Sequence, residues 1–173
     1  MTLLKFESQV SQYRNRIFGL AYHLLSNREE AEDVTQEVFM RFWTHRAELD
    51  PERVFGWLLR VTRNASLDAI RRRKTYQRSV TSNDDIVDQA PGSSPDPHSD
   101  AESAEFNRML QAALATLDEP YRSLIVLREI QDLPYQEIAE ALTLPLTSVK
   151  VYLHRARKKL RNQLSQMMPR ETV

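Results

Sequence analysis

The sequence predicts an all-α protein: two small helical domains joined by a flexible acidic linker. Three observations predict it. Only three of 173 residues are glycine, while Leu, Ala, Arg, Glu and Gln are plentiful and long Val, Ile or Thr runs are absent, so local propensities lean helical. Apolar residues recur at helical spacing on both sides of one polar stretch. Charge divides the same way. The formal net charge is zero, yet residues 1–78 carry 14 Lys/Arg against 10 Asp/Glu, residues 79–107 carry seven acids and no base, and residues 108–173 carry 10 basic against 7 acidic residues. Two mildly basic units therefore flank an acidic connector, which bears on partners rather than on fold.

In chain order, Phe6, Val10, Tyr13, Ile17, Leu20 and Leu24 suit one amphipathic helix ending near Ser26 and Asn27. Asn27 is placed to cap a second helix, with Glu29 and Glu30 favourable in its first turn, running through Ala31, Val34, Val38 and Phe42 to about Thr44. A break follows at Leu49, Asp50 and Pro51, where Asp50 is expected to cap and Pro51 or Val54 to open a third helix reaching Lys74. From Ser79 to about Ser99 the chain is mostly Ser, Asp, Asn, Gln and Pro. Prolines and a scarcity of apolar groups there predict a mobile linker. Beyond it, Met109, Leu110, Ala113, Leu114 and Leu117 form a helix stopped at Asp118–Pro120. A second covers about Tyr121 to Ile130, a third Tyr135 to Leu142, and a fourth about Ser148 to Met167. The domains are thus expected at 1–78 and 108–173, with 79–107 as linker.

Three constellations suggest what the helices do. Leu133 to Arg157 reads as a helix-turn-helix: Ile138, Ala139 and Leu142 point inward on the first helix, Val149 and Leu153 on the second, and small Ala139 permits close approach. Thr147 is expected to cap the second helix, leaving Ser148, Lys150, Val151, His154 and Arg155 outside. The run from Lys150 to Arg161, including Arg157, Lys158 and Lys159, contains no acid. Such a helix enters the major groove, reading bases and holding phosphates; a solvated basic helix is the plainer alternative.

On the third helix Leu58, Val61, Thr62, Ala65 and Ala69 make an inward stripe. Arg60, Arg63, Asn64, Leu67, Asp68 and Arg71 lie opposite, followed by Arg72, Arg73 and Lys74. Arg and Asn on one face suit phosphate and base contacts, and Phe55 and Trp57 suit either base stacking or the core. The second helix carries Asp33, Gln36, Glu37, Met40 and Trp43 in one stripe, with Phe39 beside it. Apolar groups rimmed by charge fit a protein-docking surface, or a helix buried on two sides.

Together these segments resemble the sigma-70 family, specifically the small extracytoplasmic-function (ECF) sigma factors, over about residues 8–75 and 108–165. The resemblance implies a region 2-like bundle and a region 4-like helix-turn-helix bundle in a factor that directs RNA polymerase core to promoters. Asn27 to Trp43 resembles the helix that binds the clamp helices of the polymerase largest subunit, which makes Asp33, Gln36, Glu37, Met40 and Trp43 core-binding residues. Phe55 to Arg73 resembles the helix that melts and reads the −10 element. That implies DNA contact by Arg60, Arg63, Asn64, Arg71, Arg72 and Arg73, with a flipped base received by the loop from Arg46 to Arg53. The last motif resembles the −35-reading, flap-binding region, with Ser148, Lys150, His154, Arg155, Arg157 and Lys158 on DNA. Family linkers thread towards the RNA exit channel, where an acidic segment would mimic nucleic acid. Such factors generally answer to an anti-sigma factor. Departures from the family pattern are Thr143 where Gly is common, Thr147 and Ser148 for Gly-Thr, Val151 for Ser or Asn, and Pro134 for a capping Ser.

A stand-alone helix-turn-helix regulator with an N-terminal sensor or dimerisation domain fits the C-terminal motif alone; the two-sided second helix favours the sigma factor. Catalysis is not expected. The four histidines lie far apart, and no phosphate loop, nucleophile motif or metal-ligand spacing occurs, so no cofactor or metal is expected. Without cysteine, signal-peptide pattern or a long apolar run, a cytoplasmic protein with no membrane insertion is expected.

Overall fold

The computed structural model describes residues 2–81 and 101–168. They form helices α1 (Leu3–Leu25), α2 (Arg28–His45), α3 (Val54–Thr81), α4 (Ala101–Ala115), α5 (Tyr121–Ile125), α6 (Tyr135–Leu142) and α7 (Leu146–Met167). A π-helical turn, Val126–Ile130, follows α5, and no strand occurs among the described residues. The chain divides into two compact units, 1–93 and 94–173.

In the first unit α1, α2 and α3 all pack on one another. Ile17, Leu20 and Leu24 of α1, Val38 and Phe42 of α2 and Leu58 of α3 are sealed from solvent, as the spacing predicts. The N-terminal turns of α1 are looser: Phe6, Val10 and Tyr13 are only half-buried. Phe6 stacks on Phe42 at 5.1 Å and Tyr13 on Phe55 at 4.8 Å. Residues Leu59 and Ser66 are also buried, so the inward stripe of α3 is wider than predicted. Contact with both α1 and α2 requires that width. Thr35 and Thr62 are interior too, and each hydroxyl donates to the carbonyl one turn back, Ala31 at 2.6 Å and Leu58 at 2.7 Å. That satisfies a buried polar group that would otherwise be costly.

The α1–α2 corner forms as expected. Ser26 closes α1 in the left-handed conformation, φ 53°, and the Asn27 side chain accepts the Glu30 N–H at 2.9 Å. Such a cap stabilises by about 1 kcal/mol. Of the two expected starts of α3, the structure takes Val54. Asp50 accepts from the Glu52 N–H at 3.0 Å, but Pro51–Arg53 form a separate turn and the helix opens at Val54. Its C-terminus also lies beyond Lys74, at Thr81, and α4 already begins at Ala101. Both ends of the expected connector, 79–81 and 101–107, are therefore helical. Residues 79–81 continue the helix, and the Thr75 and Ser79 hydroxyls bond back into it at 3.0 Å. The rest of the expected linker, 82–100, lies outside the described residues.

The second unit gathers α4, the α5 turn and α6 around α7. Its core is aliphatic: Leu114, Leu124, Ile125, Leu127, Leu133, Ile138 and Leu153. Arg122 closes the end of α4, donating to the carbonyls of Ala115 at 2.7 Å and Leu117 at 3.2 Å. Burial lowers its pKa, with Glu119 and Asp118 opposing. The predicted helix over 121–130 is not uniform. It widens at Val126, whose carbonyl accepts from Gln131 five residues on at 3.0 Å. The helix thus ends in a wider π turn over its last five residues.

Helix α6 matches its predicted bounds, and Thr143 closes it with φ 55°. Helix α7 starts two residues earlier than predicted, with Pro145 before it and no side-chain cap, so Thr147 sits inside the first turn rather than capping it. Proline tolerates that boundary because the first N–H groups of a helix have no intrahelical partner.

Candidate protein- and nucleic-acid-binding surfaces

The outer side of α1 and α2 forms an open groove of about 1090 Å³, lined by Phe6, Val10, Phe18, Phe39, Met40 and Trp43 and edged by Asp33, Gln36, Glu37 and Arg41. All five residues predicted to bind a protein partner line it. Met40 is 67% exposed and Trp43 38%, but Phe39 is only 9% exposed and belongs to the floor. Trp43 is already held: Phe6 meets its edge at 4.8 Å and the Arg46 guanidinium lies 3.6 Å over its ring. Glu37 pairs with Arg41 on its own helix at 2.5 Å, both about half-exposed. Such a pair is worth at most about 1 kcal/mol and is readily exchanged for an incoming partner.

Trp57, which suited either stacking or the core, packs inside the unit, 6.2 Å from Phe42 and 5.9 Å from His45. Phe55 likewise faces Tyr13, with Arg16 over its ring at 5.3 Å. Both rings therefore serve the hydrophobic assembly, though each remains half-exposed.

The predicted DNA-facing residues of α3 do not share one face. At about 100° per residue, Arg60, Arg63, Asn64 and Arg71 lie in one stripe, and Lys74 and Arg78 continue it. Arg60, Asn64, Arg71, Lys74 and Arg78 are exposed and Arg63 is half-buried. Arg71 pairs with Asp68 at 2.8 Å on the surface. Arg72 lies away from this stripe, in a smaller groove with Glu30, Asp33 and Glu37. Arg73 points nearly opposite Arg60. It donates to the Glu30 carboxylate at 2.7 Å and to the Leu25 carbonyl at 3.3 Å. Glu30 in turn lies beside the Asn27 cap, so Arg73 ties α3 to the α1–α2 corner. The residue read from sequence as a DNA contact is engaged in this internal link. The period itself held the signal, since counting turns separates Arg73 from Arg60 and joins Lys74 and Arg78 to it.

Helix α7 repeats the lesson. Lys150, His154, Arg155 and Lys158 are exposed and Ser148 is half-buried on the outer side. Arg157 turns back to Glu129 of the π turn, with guanidinium nitrogens 2.6 and 2.7 Å from the carboxylate. Those hydrogen bonds raise its pKa; desolvation opposes, and Tyr135 adds to the rise. Nearby, Arg128 donates to the Leu133 carbonyl at 2.9 Å and lies 5.1 Å over the Tyr135 ring. The widened turn thus meets α6 and α7 through one small polar cluster, and Arg157 belongs to it. Sequence gave no warning of Glu129, because the pairing spans 28 residues.

Among the described residues no group of His, Asp and Glu could hold a metal ion, and no helix is long and apolar enough to cross a membrane.

Residues 9–76 match sigma-70 region 2, and residues 107–160 match sigma-70 region 4. The chain is 35% identical over 160 residues to the ECF RNA polymerase sigma factor SigE of Mycolicibacterium smegmatis, covering 92% of this chain but spanning 62% of that protein. It is 33% identical over 165 residues to the ECF RNA polymerase sigma factor SigW of Bacillus subtilis, covering 92% of this chain and 88% of the relative. Its fold resembles that of the sigma factor RpoE from Bartonella quintana, solved with the anti-sigma factor NepR. There the TM-score is 0.75 at 21% identity, covering 93% of this chain and 97% of that one. It also resembles CnrH, solved with the cytosolic domain of CnrY, with a TM-score of 0.72 at 24% identity over 95% and 90% of the two chains. Two region matches in the expected order and a relative matched over most of its length lead to one conclusion: the chain belongs to the sigma-70 family, as an ECF RNA polymerase sigma factor.

Proposed function

We propose that this sigma factor divides its binding among three surfaces. The groove with Asp33, Gln36, Glu37, Met40 and Trp43 receives the polymerase core, at the clamp helices of the largest subunit. The α3 stripe of Arg60, Arg63, Asn64 and Arg71 meets the −10 element, and Lys74 and Arg78 extend it. The outer face of α7, through Ser148, Lys150, His154, Arg155 and Lys158, reads the −35 element beside the polymerase flap. In this reading 1–78 and 108–173 are the working domains and 79–107 connects them. The protein works in the cytoplasm, by binding alone, with catalysis left to the polymerase.

One observation carries the reading: an apolar groove with acidic edges shares a unit with a basic helix face, and a second unit presents another. Protein docking favours the first kind of surface and phosphate contact the second. An anti-sigma factor would act by covering the groove; RpoE, a sigma factor of similar fold, was solved with such a partner.

Run-off transcription with core polymerase on the protein's own upstream region tests this. A specific transcript is expected only when the protein is present, and it should vanish in the Asp33→Ala/Glu37→Ala variant. No transcript, together with tight binding of the protein alone to a palindromic duplex, would identify a stand-alone regulator instead.

A further inference from the structure

Val151 breaks the polar pattern of α7. It is 48% exposed, and at about 100° per residue it lies at the centre of the outer face. Thr147, Ser148, His154, Arg155 and Lys158 all fall within about 60° of it. The inward side of the helix is filled independently by Val149, Leu153 and Ala156, each sealed from solvent, so the core does not account for Val151. Scattered surface valines are ordinary. A valine ringed by hydroxyl, imidazole, guanidinium and ammonium groups is placed where a DNA-reading helix touches base edges.

The chemistry of the side chain selects what it can read. Valine neither donates nor accepts a hydrogen bond, so it gains nothing from the N7, O6, N6 or N4 groups of the major groove and leaves any it covers without water. The one apolar group on the major-groove edge of a standard base is the thymine C5-methyl. A β-branched side chain in a helix holds essentially one χ1 rotamer, so the two Val151 methyls are already fixed before contact and little entropy is lost on docking.

We infer that Val151 is a specificity-determining residue of the recognition helix and reads the C5-methyl of one thymine in the upstream promoter element. The inference rests on the proposed −35 role of α7. Lys150, Arg155 and Lys158 hold the helix on the phosphates with little regard to sequence, and Val151 adds a choice of base that charge does not supply.

Replacing thymines one at a time by deoxyuridine in the upstream element removes only the methyl. With holoenzyme formed from the full chain, one position is expected to weaken binding about fourfold, the worth of burying one methyl-sized group. Val151→Ala holoenzyme should bind the parent duplex about as weakly as wild type binds that deoxyuridine duplex, and should be indifferent to the deoxyuridine. Restoring the methyl as 5-methylcytosine, paired with guanine, should recover part of the wild-type affinity lost with unmethylated cytosine at the same place. If no deoxyuridine position matters, or if Val151→Ala remains equally sensitive, the inference is wrong while the promoter-binding reading stands. If holoenzyme does not bind the parent promoter at all, the sigma-type reading of α7 falls and takes the inference with it.

Discussion

The two units meet similar demands with different materials. In the first, a fully buried phenylalanine, Phe42, anchors an aromatic rim that runs through Phe6 to Trp43 and across to Trp57. In the second the core is leucine, isoleucine and valine, and the aromatic rings lie at the edges, with Tyr121 meeting Tyr152 at 5.9 Å. A rim of large rings leaves gaps between their edges, and the first unit carries the open apolar groove. Close aliphatic packing lets α6 and α7 approach across a short turn, leaving a helix face rather than a cleft. The difference lies in the surfaces the units offer: the first presents an apolar groove beside a basic helix face, the second a basic helix face.

Each unit also uses one arginine to anchor its long basic helix, Arg73 to Glu30 in the first and Arg157 to Glu129 in the second. The first pair is the more enclosed, with side chains 34% and 37% exposed against 42% for both partners in the second.

Deleting each core should affect the two units separately. Phe42→Ala is expected to cost the first unit about 3–5 kcal/mol. Both tryptophans, Trp43 and Trp57, lie in that unit, so their fluorescence during urea unfolding reports it alone. A loss below 1 kcal/mol would break the picture of an aromatic anchor. Leu153→Ala should cost the second unit about 2–4 kcal/mol, read by amide hydrogen exchange in α6 and α7, with the tryptophan transition unmoved.

The anchors differ by less. A double-mutant cycle on Arg73 and Glu30 should give a coupling of about 1 kcal/mol, and one on Arg157 and Glu129 somewhat less, because solvent screens the more open pair. Equal couplings would remove the distinction between the anchors. Neither Arg73→Ala nor Arg157→Ala should change the salt dependence of promoter binding as Lys158→Ala does, since a phosphate contact lowers that slope by about one.

The smallest effect concerns the turn. Thr143 holds a left-handed conformation that β-branched residues adopt at a cost. Thr143→Gly should stabilise the second unit by roughly 0.5–1 kcal/mol in thermal unfolding, the steric relief exceeding the added freedom of the unfolded chain. Destabilisation would mean that the Thr143 side chain contributes packing of its own.

Much of the architecture was legible because it depends on local regularity. Helix periods located α1, α2 and α6, Asn27 announced its cap, and Ile138, Ala139, Val149 and Leu153 revealed the inner faces of the helix-turn-helix. Helix ends were less legible, since polar residues at 75–81 look like loop whether or not the backbone continues its hydrogen bonds. The candidate surfaces divide in the same way. Met40 and Trp43 stand out as apolar groups among charges, whereas Arg73 and Arg157 look like their neighbours, and only helical phase sets Lys74 and Arg78 beside Arg60.

By itself, then, the sequence determined the helical class, the division into two basic units around an acidic stretch, and which helix faces are apolar. All of these follow from composition and from periods within a few residues. Only the tertiary structure decided which basic groups are available. Whether an arginine meets solvent or a carboxylate depends on what lies across from it, and Glu30 and Glu129 are brought there by chain reversals that no local pattern records. The π turn at Val126, where the Gln131 N–H reaches back five residues, likewise departs from the uniform helix that the spacing predicts.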